Sequence, residues 1–81
     1  MNEINEIKEA FETTLRAIAP DVEVNYAEGE ATLVVEIHSP KNAGAIIGKG
    51  GKTINAIRSV FGSVFRSTSK FRNVRIDYVD K

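Results

Sequence analysis

The chain holds 81 residues, with 11 basic and 11 acidic side chains, a formal net charge of zero and no cysteine. Because a chain of this length builds one small core, we expect residues 1–81 to form a single domain with one binding face. The lack of cysteine excludes disulfides and thiolate chemistry, and no apolar run approaches the roughly 18 residues of a membrane span. We therefore expect a cytoplasmic protein that makes no membrane contact.

The charges are divided unequally between the two halves of the chain. Residues 1–38 carry two basic and nine acidic side chains, a net charge of −7, whereas residues 39–81 carry nine basic and two acidic ones, a net charge of +7. Such asymmetry favours a charged partner, nucleic acid above all, for the basic half. The alternative is that the acidic and basic halves only attract one another within the fold.

An amphipathic helix is predicted from about Glu3 to Ala19. Asn2 fits its N-cap and Pro20 ends it. Its outward face is acidic and would repel phosphates, so we expect this helix to cover the back of a sheet. Its apolar positions recur at steps of three and four residues and are Ile4, Ile7, Ala10, Phe11, Thr14, Leu15 and Ile18.

Two strands follow as a predicted hairpin. Apolar residues alternate with polar ones over 22–26 and again over 32–38, and a turn is predicted at 27–30. His38, the only histidine, ends the second strand. We expect it to face solvent and to have no catalytic role, because no nucleophile accompanies it in a recognisable arrangement.

Two helices joined by a tight turn are predicted next. Ser39 and Pro40 suit the N-cap and first position of a short helix over 40–47. A longer helix runs from Lys52 to about Ser67, followed by a loop at 67–70 and a last strand at 73–79. The order is therefore helix, strand, strand, helix, helix, strand.

The turn itself reads Gly48-Lys49-Gly50-Gly51 and is where we expect the function. Glycine adopts positive φ without a Cβ penalty and lets a ligand backbone approach closely. Free amides and the positive dipole end at the start of the second helix favour an anion, and Lys49 and Lys52 flank the turn. A phosphate group is the expected ligand.

Residues 47–54, Ile-Gly-Lys-Gly-Gly-Lys-Thr-Ile, resemble the Ile-Gly-x-x-Gly-x-x-Ile signature of KH domains. In those domains the Gly-x-x-Gly loop clamps the backbone of single-stranded nucleic acid. The resemblance spans essentially the whole chain and is strongest to the small bacterial single-KH proteins of the KhpA type. It implies an α+β fold of the type II KH arrangement, with a three-stranded mixed sheet and three helices on one face.

The same resemblance implies a non-enzymatic protein that binds single-stranded RNA and acts as an RNA chaperone. Its implied protein partner is a second copy or a second KH-containing protein. The amides of Gly50 and Gly51 are expected to hold the RNA backbone. The RNA-binding residues that the resemblance implies are Ile47, Gly48, Lys49, Gly50, Gly51, Lys52, Ile54 and Arg58.

An apolar groove floor beneath the bases is a further expectation. Its candidates are Ile46, Ile47 and Ile54, with Ala43 and Ile57 as additions, and Arg58 and Arg75 are placed at its rim. For each isoleucine the alternative is core packing, which we favour at Ile57. We expect the aromatic side chains Phe61, Phe65 and Phe71 in the interior. The sequence departs from the common KH pattern in placing Gly50 where a polar or basic residue is usual, which predicts a more mobile loop.

Other functions have less support in the sequence. Gly51-Lys52-Thr53 does not end a nucleotide-binding P-loop, because Ile46 occupies the position of its first glycine. We expect no catalytic residue, metal site, cofactor or small-molecule substrate. Two alternatives stay open. One is a KH-fold protein-interaction module with little RNA affinity of its own, docked on a protein or ribosomal component. The other is single-stranded DNA binding, since nothing here selects for the 2′-hydroxyl.

Overall fold

The computed structural model describes residues 3–80, apart from the side chains of Glu3 and Thr68. The predicted order of elements is confirmed, whereas the proposed N-cap Asn2 lies outside the described residues. A single 310 turn, Lys49–Gly51, separates the second and third helices. The elements are α1 (Glu3–Ile18), β1 (Glu23–Glu28), β2 (Thr32–His38), α2 (Ala43–Ile47), α3 (Lys52–Thr68) and β3 (Asn73–Tyr78).

The sheet has the strand order β1-β2-β3, with β2 antiparallel to β1 and parallel to β3. The prediction of a three-stranded mixed sheet is confirmed. Val35 of β2 stands opposite Tyr26 on one side and Ile76 on the other, which fixes the faces of all three strands. Leu33, Val35 and Ile37 are fully buried, so this face of β2 packs against the helices.

One hydrophobic core lies between this sheet face and the helices. Phe11 of α1 packs edge-on against two rings of α3, with centroid distances of 4.8 Å to Phe61 and 5.8 Å to Phe65. Phe65 and Phe71 are buried and Phe61 is partly buried against the core, as predicted. Aromatic pairs of this geometry add to the stabilisation that comes from burying their surface.

The start predicted for α2 at Pro40 is wrong by three residues. Residues 40–42 form a turn and Asn42 is the N-cap of α2. The reason is the carboxylate of Asp21, which holds this turn from outside the local sequence. It accepts hydrogen bonds from the Ser39 hydroxyl (2.7 Å), the Lys41 main-chain N–H (2.6 Å) and the Asn42 carboxamide (2.7 Å).

Strand β1 and helix α3 also extend further than predicted. Strand β1 continues to Glu28, and the hairpin turn closes with a 2.8 Å hydrogen bond from the Gly29 N–H to the Thr32 carbonyl. Helix α3 runs past Ser67, where a loop was predicted. The Ser67 hydroxyl donates to the Ser63 carbonyl at 2.8 Å, and this hydrogen bond keeps Ser67 within the last turn of the helix.

Candidate nucleic-acid interface

The turn between α2 and α3 depends on three glycines with positive φ. Gly48 has φ 77° and ψ 170°, Gly50 has φ 64° and ψ 21°, and Gly51 has φ 80° and ψ 13°. Among the described residues, no residue other than glycine has a positive φ. The first of these conformations is essentially restricted to glycine, and the other two are left-handed. The glycine spacing therefore produces the predicted bend.

Gly48 and Gly50 serve different purposes in the bend. A Cβ on Gly48 would lie 2.7 Å from the main-chain nitrogen of Thr53, so only glycine lets the first turn of α3 come this close. Gly50 is exposed, and a Cβ there would meet nothing within 4 Å. Gly48 thus closes the bend, whereas Gly50 leaves its outer surface open to a ligand.

Some of the main-chain N–H groups at the bend already donate hydrogen bonds to carbonyls of the same segment. Gly48 donates to the Gly44 carbonyl at 2.8 Å, and Gly51 donates to the Gly48 carbonyl at 3.1 Å. Lys52 donates to the Lys49 carbonyl. The expectation of a free Gly51 amide is therefore wrong, because the 310 turn consumes it.

Two amides earlier in the bend are left for a ligand. No hydrogen bond described in the structure uses the N–H of Lys49 or Gly50, and both residues are exposed. The Lys49 and Lys52 ammonium groups are also exposed, and neither enters an ion pair or hydrogen bond among the side chains described. The bend therefore has two main-chain amides without a described acceptor and two exposed lysines without a described partner.

The predicted apolar groove floor is mostly core. Ile46, Ile54 and Ile57 are 0%, 5% and 6% exposed, so these three side chains offer almost no surface to a ligand. Ala43 and Ile47 are partly exposed, and Ile47 also packs against the core. The signature isoleucines 47 and 54 therefore anchor the helices on either side of the bend, and only the first retains accessible surface.

Arg58 does not project freely from α3, although we expected it at the rim. Its Nε donates to the Ile76 carbonyl at 2.7 Å and its Nη1 donates to Asn55 Oδ1 at 3.0 Å. Its Nη2 lies 3.5 Å from Asp77 Oδ1. Arg75 is also paired with Asp77, at 2.6 Å. The guanidinium of Arg58 thus joins α3 to β3.

Sequence reasoning missed Asn55 and Asp21. Asn55 lies three residues before Arg58 on the helix, a spacing that brings two side chains together and could have indicated the pair. Asp21 gave no local signal, since its partners follow 18 to 21 residues later in the chain.

His38 was expected to face solvent, but it is partly buried and its Nδ1 donates to the Val79 carbonyl at 2.9 Å.

The ion pairs bear on whether the two charged halves neutralise each other. Lys8 pairs with Glu28 at 3.1 Å and Arg16 with Glu12 at 3.8 Å, both within residues 1–38. Arg58 and Arg75 pair with Asp77, within residues 39–81. None of these four pairs joins the acidic half to the basic half. They therefore give no support to attraction between the halves as the reason for the charge pattern.

Metal binding and membrane spanning have no support within residues 3–80. Histidine and carboxylate side chains form no group of three or more that could hold a metal ion there. The helices in this part of the chain are too short or too polar to cross a membrane.

A three-stranded mixed sheet under two helices that meet at a Gly-x-x-Gly bend defines a KH domain, a nucleic-acid-binding fold. The chain matches the family described as KhpA/KhpB, KH domain, over residues 8–77, and it belongs to that family. The family is one of RNA-binding modules and not typically one of enzymes. No curated protein and no solved structure matches the chain.

Proposed function

We propose that this protein binds single-stranded RNA by gripping its sugar–phosphate backbone at the bend between α2 and α3. The observation that carries the proposal is that the amides of Lys49 and Gly50 make no described hydrogen bond, and that Lys49 and Lys52 are exposed and without a described partner. Phosphate oxygens are acceptors, so they complement four donors of this kind. Gly50 supports close approach, since no side chain covers it.

The eight residues of the predicted site divide by role in this proposal. Lys49, Gly50 and Lys52 contact phosphate, and Ile47 adds apolar surface beside them. Gly48, Gly51 and Ile54 shape and anchor the bend. Arg58, which is bonded to β3, contributes by position rather than by a free charge.

Base recognition by aromatic stacking has little support. Phe11, Phe65 and Phe71 are buried, so these three rings offer no platform for bases. Binding by backbone contacts alone is weak and salt-dependent, with a log–log slope of about −0.7 for each neutralised phosphate on a single strand. A second module, from another copy of the chain or from another KH-containing protein, would raise affinity through avidity.

The cellular role follows from the family resemblance. We propose that the protein belongs to the bacterial type II KH form, with residues 1–81 as one domain, and that it works in the cytoplasm. Weak, sequence-tolerant contacts to single strands suit an RNA chaperone, which must release its substrate. The order of elements supports the type II form, because α1 and β1 precede the strand-helix-helix-strand unit.

The test is a fluorescence anisotropy titration of a labelled, unstructured RNA with the parent chain and with Lys49→Gln/Lys52→Gln. Loss of two cations from the bend predicts an affinity lowered about 10-fold or more and a salt slope reduced by about 1.4. The matched control is Lys70→Gln, a single exposed lysine beyond the far end of α3, roughly 25 Å along the helix axis from the bend. It should bind within about twofold of the parent, as expected for a surface change away from the site.

The outcomes separate the remaining alternatives. Unchanged binding by the double variant would remove the bend as the site, while the fold stays a KH domain. No RNA binding by the parent would favour the protein-interaction module. Equal competition by DNA of the same sequence would favour single-strand binding without selection for the 2′-hydroxyl.

A further inference from the structure

Asn55 is the fourth residue of α3, at the end of its first turn, beside the bend and outside the set of residues that the sequence motif indicates. Its Oδ1 accepts a hydrogen bond from Arg58 Nη1 at 3.0 Å. Its Nδ2 would lie 3.5 Å from a Cβ built on Gly51, so the amino end of the carboxamide borders the bend. The side chain is exposed, and no described acceptor takes a hydrogen bond from this Nδ2.

The orientation of this carboxamide is set by a chain of contacts that begins on the sheet. The Ile76 carbonyl and the Asp77 carboxylate hold two nitrogens of Arg58, at 2.7 Å and 3.5 Å. The third nitrogen then meets Asn55 Oδ1. Because guanidinium groups only donate, the oxygen of Asn55 must face Arg58 and its NH₂ group must face away from Arg58.

We propose that Asn55 is a further ligand contact of the RNA interface, and that Arg58 is the positioning residue that aims it. The proposal rests on the proposed function. An NH₂ donor beside the bend matches an acceptor oxygen of the sugar–phosphate backbone, either a phosphate oxygen or a ribose hydroxyl. Being neutral, the carboxamide adds a directed hydrogen bond without adding to the salt dependence.

A positioning role and a phosphate-binding role for Arg58 predict different salt dependences of RNA binding. Three of its five N–H groups face protein acceptors on Ile76, Asp77 and Asn55, so only two remain for a phosphate. A phosphate-binding arginine lowers the salt slope by about 0.7 when it is neutralised. A positioning arginine lowers affinity and leaves the slope unchanged.

The experiment measures RNA affinity across a salt series for Asn55→Ala, Asn55→Asp, Arg58→Gln and Asn55→Ala/Arg58→Gln. Asn55→Ala removes the donor and should weaken binding about five- to tenfold, the size of one directed hydrogen bond. Asn55→Asp keeps the acceptor for Arg58, replaces the donor with a negative charge, and should weaken binding further. Arg58→Gln should weaken binding with an unchanged slope, and the double variant should bind as weakly as Asn55→Ala alone.

The matched control is Asn5→Asp, the same chemical change at an exposed position of α1. It should bind within about twofold of the parent, which separates the local effect of Asn55→Asp from the added charge on the whole chain. Unfolding in urea, followed by circular dichroism, should show that the variants used for binding remain folded. Parallel titrations with DNA of the same sequence identify the acceptor. If the Asn55 variants lose affinity equally for RNA and DNA, the acceptor is a phosphate oxygen. If they lose affinity for RNA alone, the acceptor is the ribose hydroxyl.

Two results would overturn this inference alone. One is binding by Asn55→Ala within twofold of the parent while Lys49→Gln/Lys52→Gln is impaired. The other is a salt slope that falls by about 0.7 in Arg58→Gln, which would make Arg58 a phosphate contact. Absence of RNA binding by the parent would overturn the proposed function together with this inference.

Discussion

The hydroxyl of Ser39 donates a 2.7 Å hydrogen bond to the carboxylate of Asp21, 18 residues earlier in the chain. Ser39 is 1% exposed, and the same carboxylate also binds the Lys41 N–H and the Asn42 side chain. A single acidic residue between α1 and β1 therefore holds the segment from which α2 starts. Because α2 leads directly into the glycine bend, this contact helps to position the bend that we propose as the RNA-binding site.

Stability at low pH should depend on Asp21. Its hydrogen bonds, first from Asn42 and then from Ser39, lower the pKa of its carboxyl from 3.8 to about 2. A depressed folded pKa means that the contribution to stability is complete above about pH 4 and is lost as the pH falls towards 2. Asp21→Asn should lower the Tm at pH 6 and should flatten the decrease in Tm between pH 4 and pH 2, as measured by circular dichroism.

The control for this experiment is Asp80→Asn, which makes the same change at an exposed residue after β3. It should leave the Tm at pH 6 nearly unchanged, as expected for an exposed surface substitution. A parent-like pH profile in Asp21→Asn would show that the acid sensitivity has another origin.

Tyr26 should ionise only at unusually high pH. Burial raises the pKa of its phenol above the ordinary value of 10, and the 2.7 Å hydrogen bond to Glu12 and the charge of that carboxylate raise it further. Since the folded pKa is raised, the stability that Tyr26 contributes is complete below about pH 10 and is lost at higher pH. The difference in absorbance at 295 nm between the parent and Tyr26→Phe during an alkaline titration should show a midpoint above 10.

Removing the Tyr26 hydroxyl also tests the contact between β1 and α1. Tyr26→Phe should destabilise the protein by about 1 kcal/mol, because the hydrogen bond to Glu12 is lost and the ring remains. Urea unfolding monitored by circular dichroism measures the change. An unchanged free energy of unfolding, or a phenol midpoint at or below 10, would contradict the described contact.

Gly48 and Gly50 should differ in their tolerance of a side chain. Gly48→Ala should destabilise the protein by about 3 kcal/mol or more. A φ of 77° is unfavourable for alanine, and the new Cβ would also clash with the main chain of Thr53. Gly50→Ala should cost only about 1 to 2 kcal/mol, the strain of a left-handed residue in open space. Urea unfolding of both variants measures the difference, and equal losses would be inconsistent with the two roles.

Replacing Ile54 should mainly lower the free energy of unfolding, whereas replacing Ile47 should lower it less. Ile54 is 5% exposed within the core, so Ile54→Ala should cost about 2 to 5 kcal/mol by leaving a cavity. Ile47 is only partly buried, so Ile47→Ala should cost less and should change RNA affinity more relative to its effect on folding. Urea unfolding and anisotropy titration on the same samples separate the two effects. A stable Ile54→Ala with impaired binding would restore Ile54 to the groove floor.

The sequence alone determined the order of elements, the buried aromatic side chains and the location of the bend. These are local properties, because apolar spacing reports which face of a helix or strand is buried, and glycine reports where φ must be positive. The same spacing could not separate a groove floor from a core at Ile46 and Ile54. A helix repeats its apolar residues in the same way for either purpose.

Only the tertiary structure decided which donors of the bend are free, how α2 begins and where Arg58 points. The Gly51 amide is consumed by a 310 turn, Asp21 organises residues that follow 18 to 21 positions later, and Arg58 reaches across to β3. Each outcome depends on hydrogen bonds between groups that become neighbours only after the chain has folded. A hydrogen bond is directional and specific to its partner, so apolar periodicity carries no information about it.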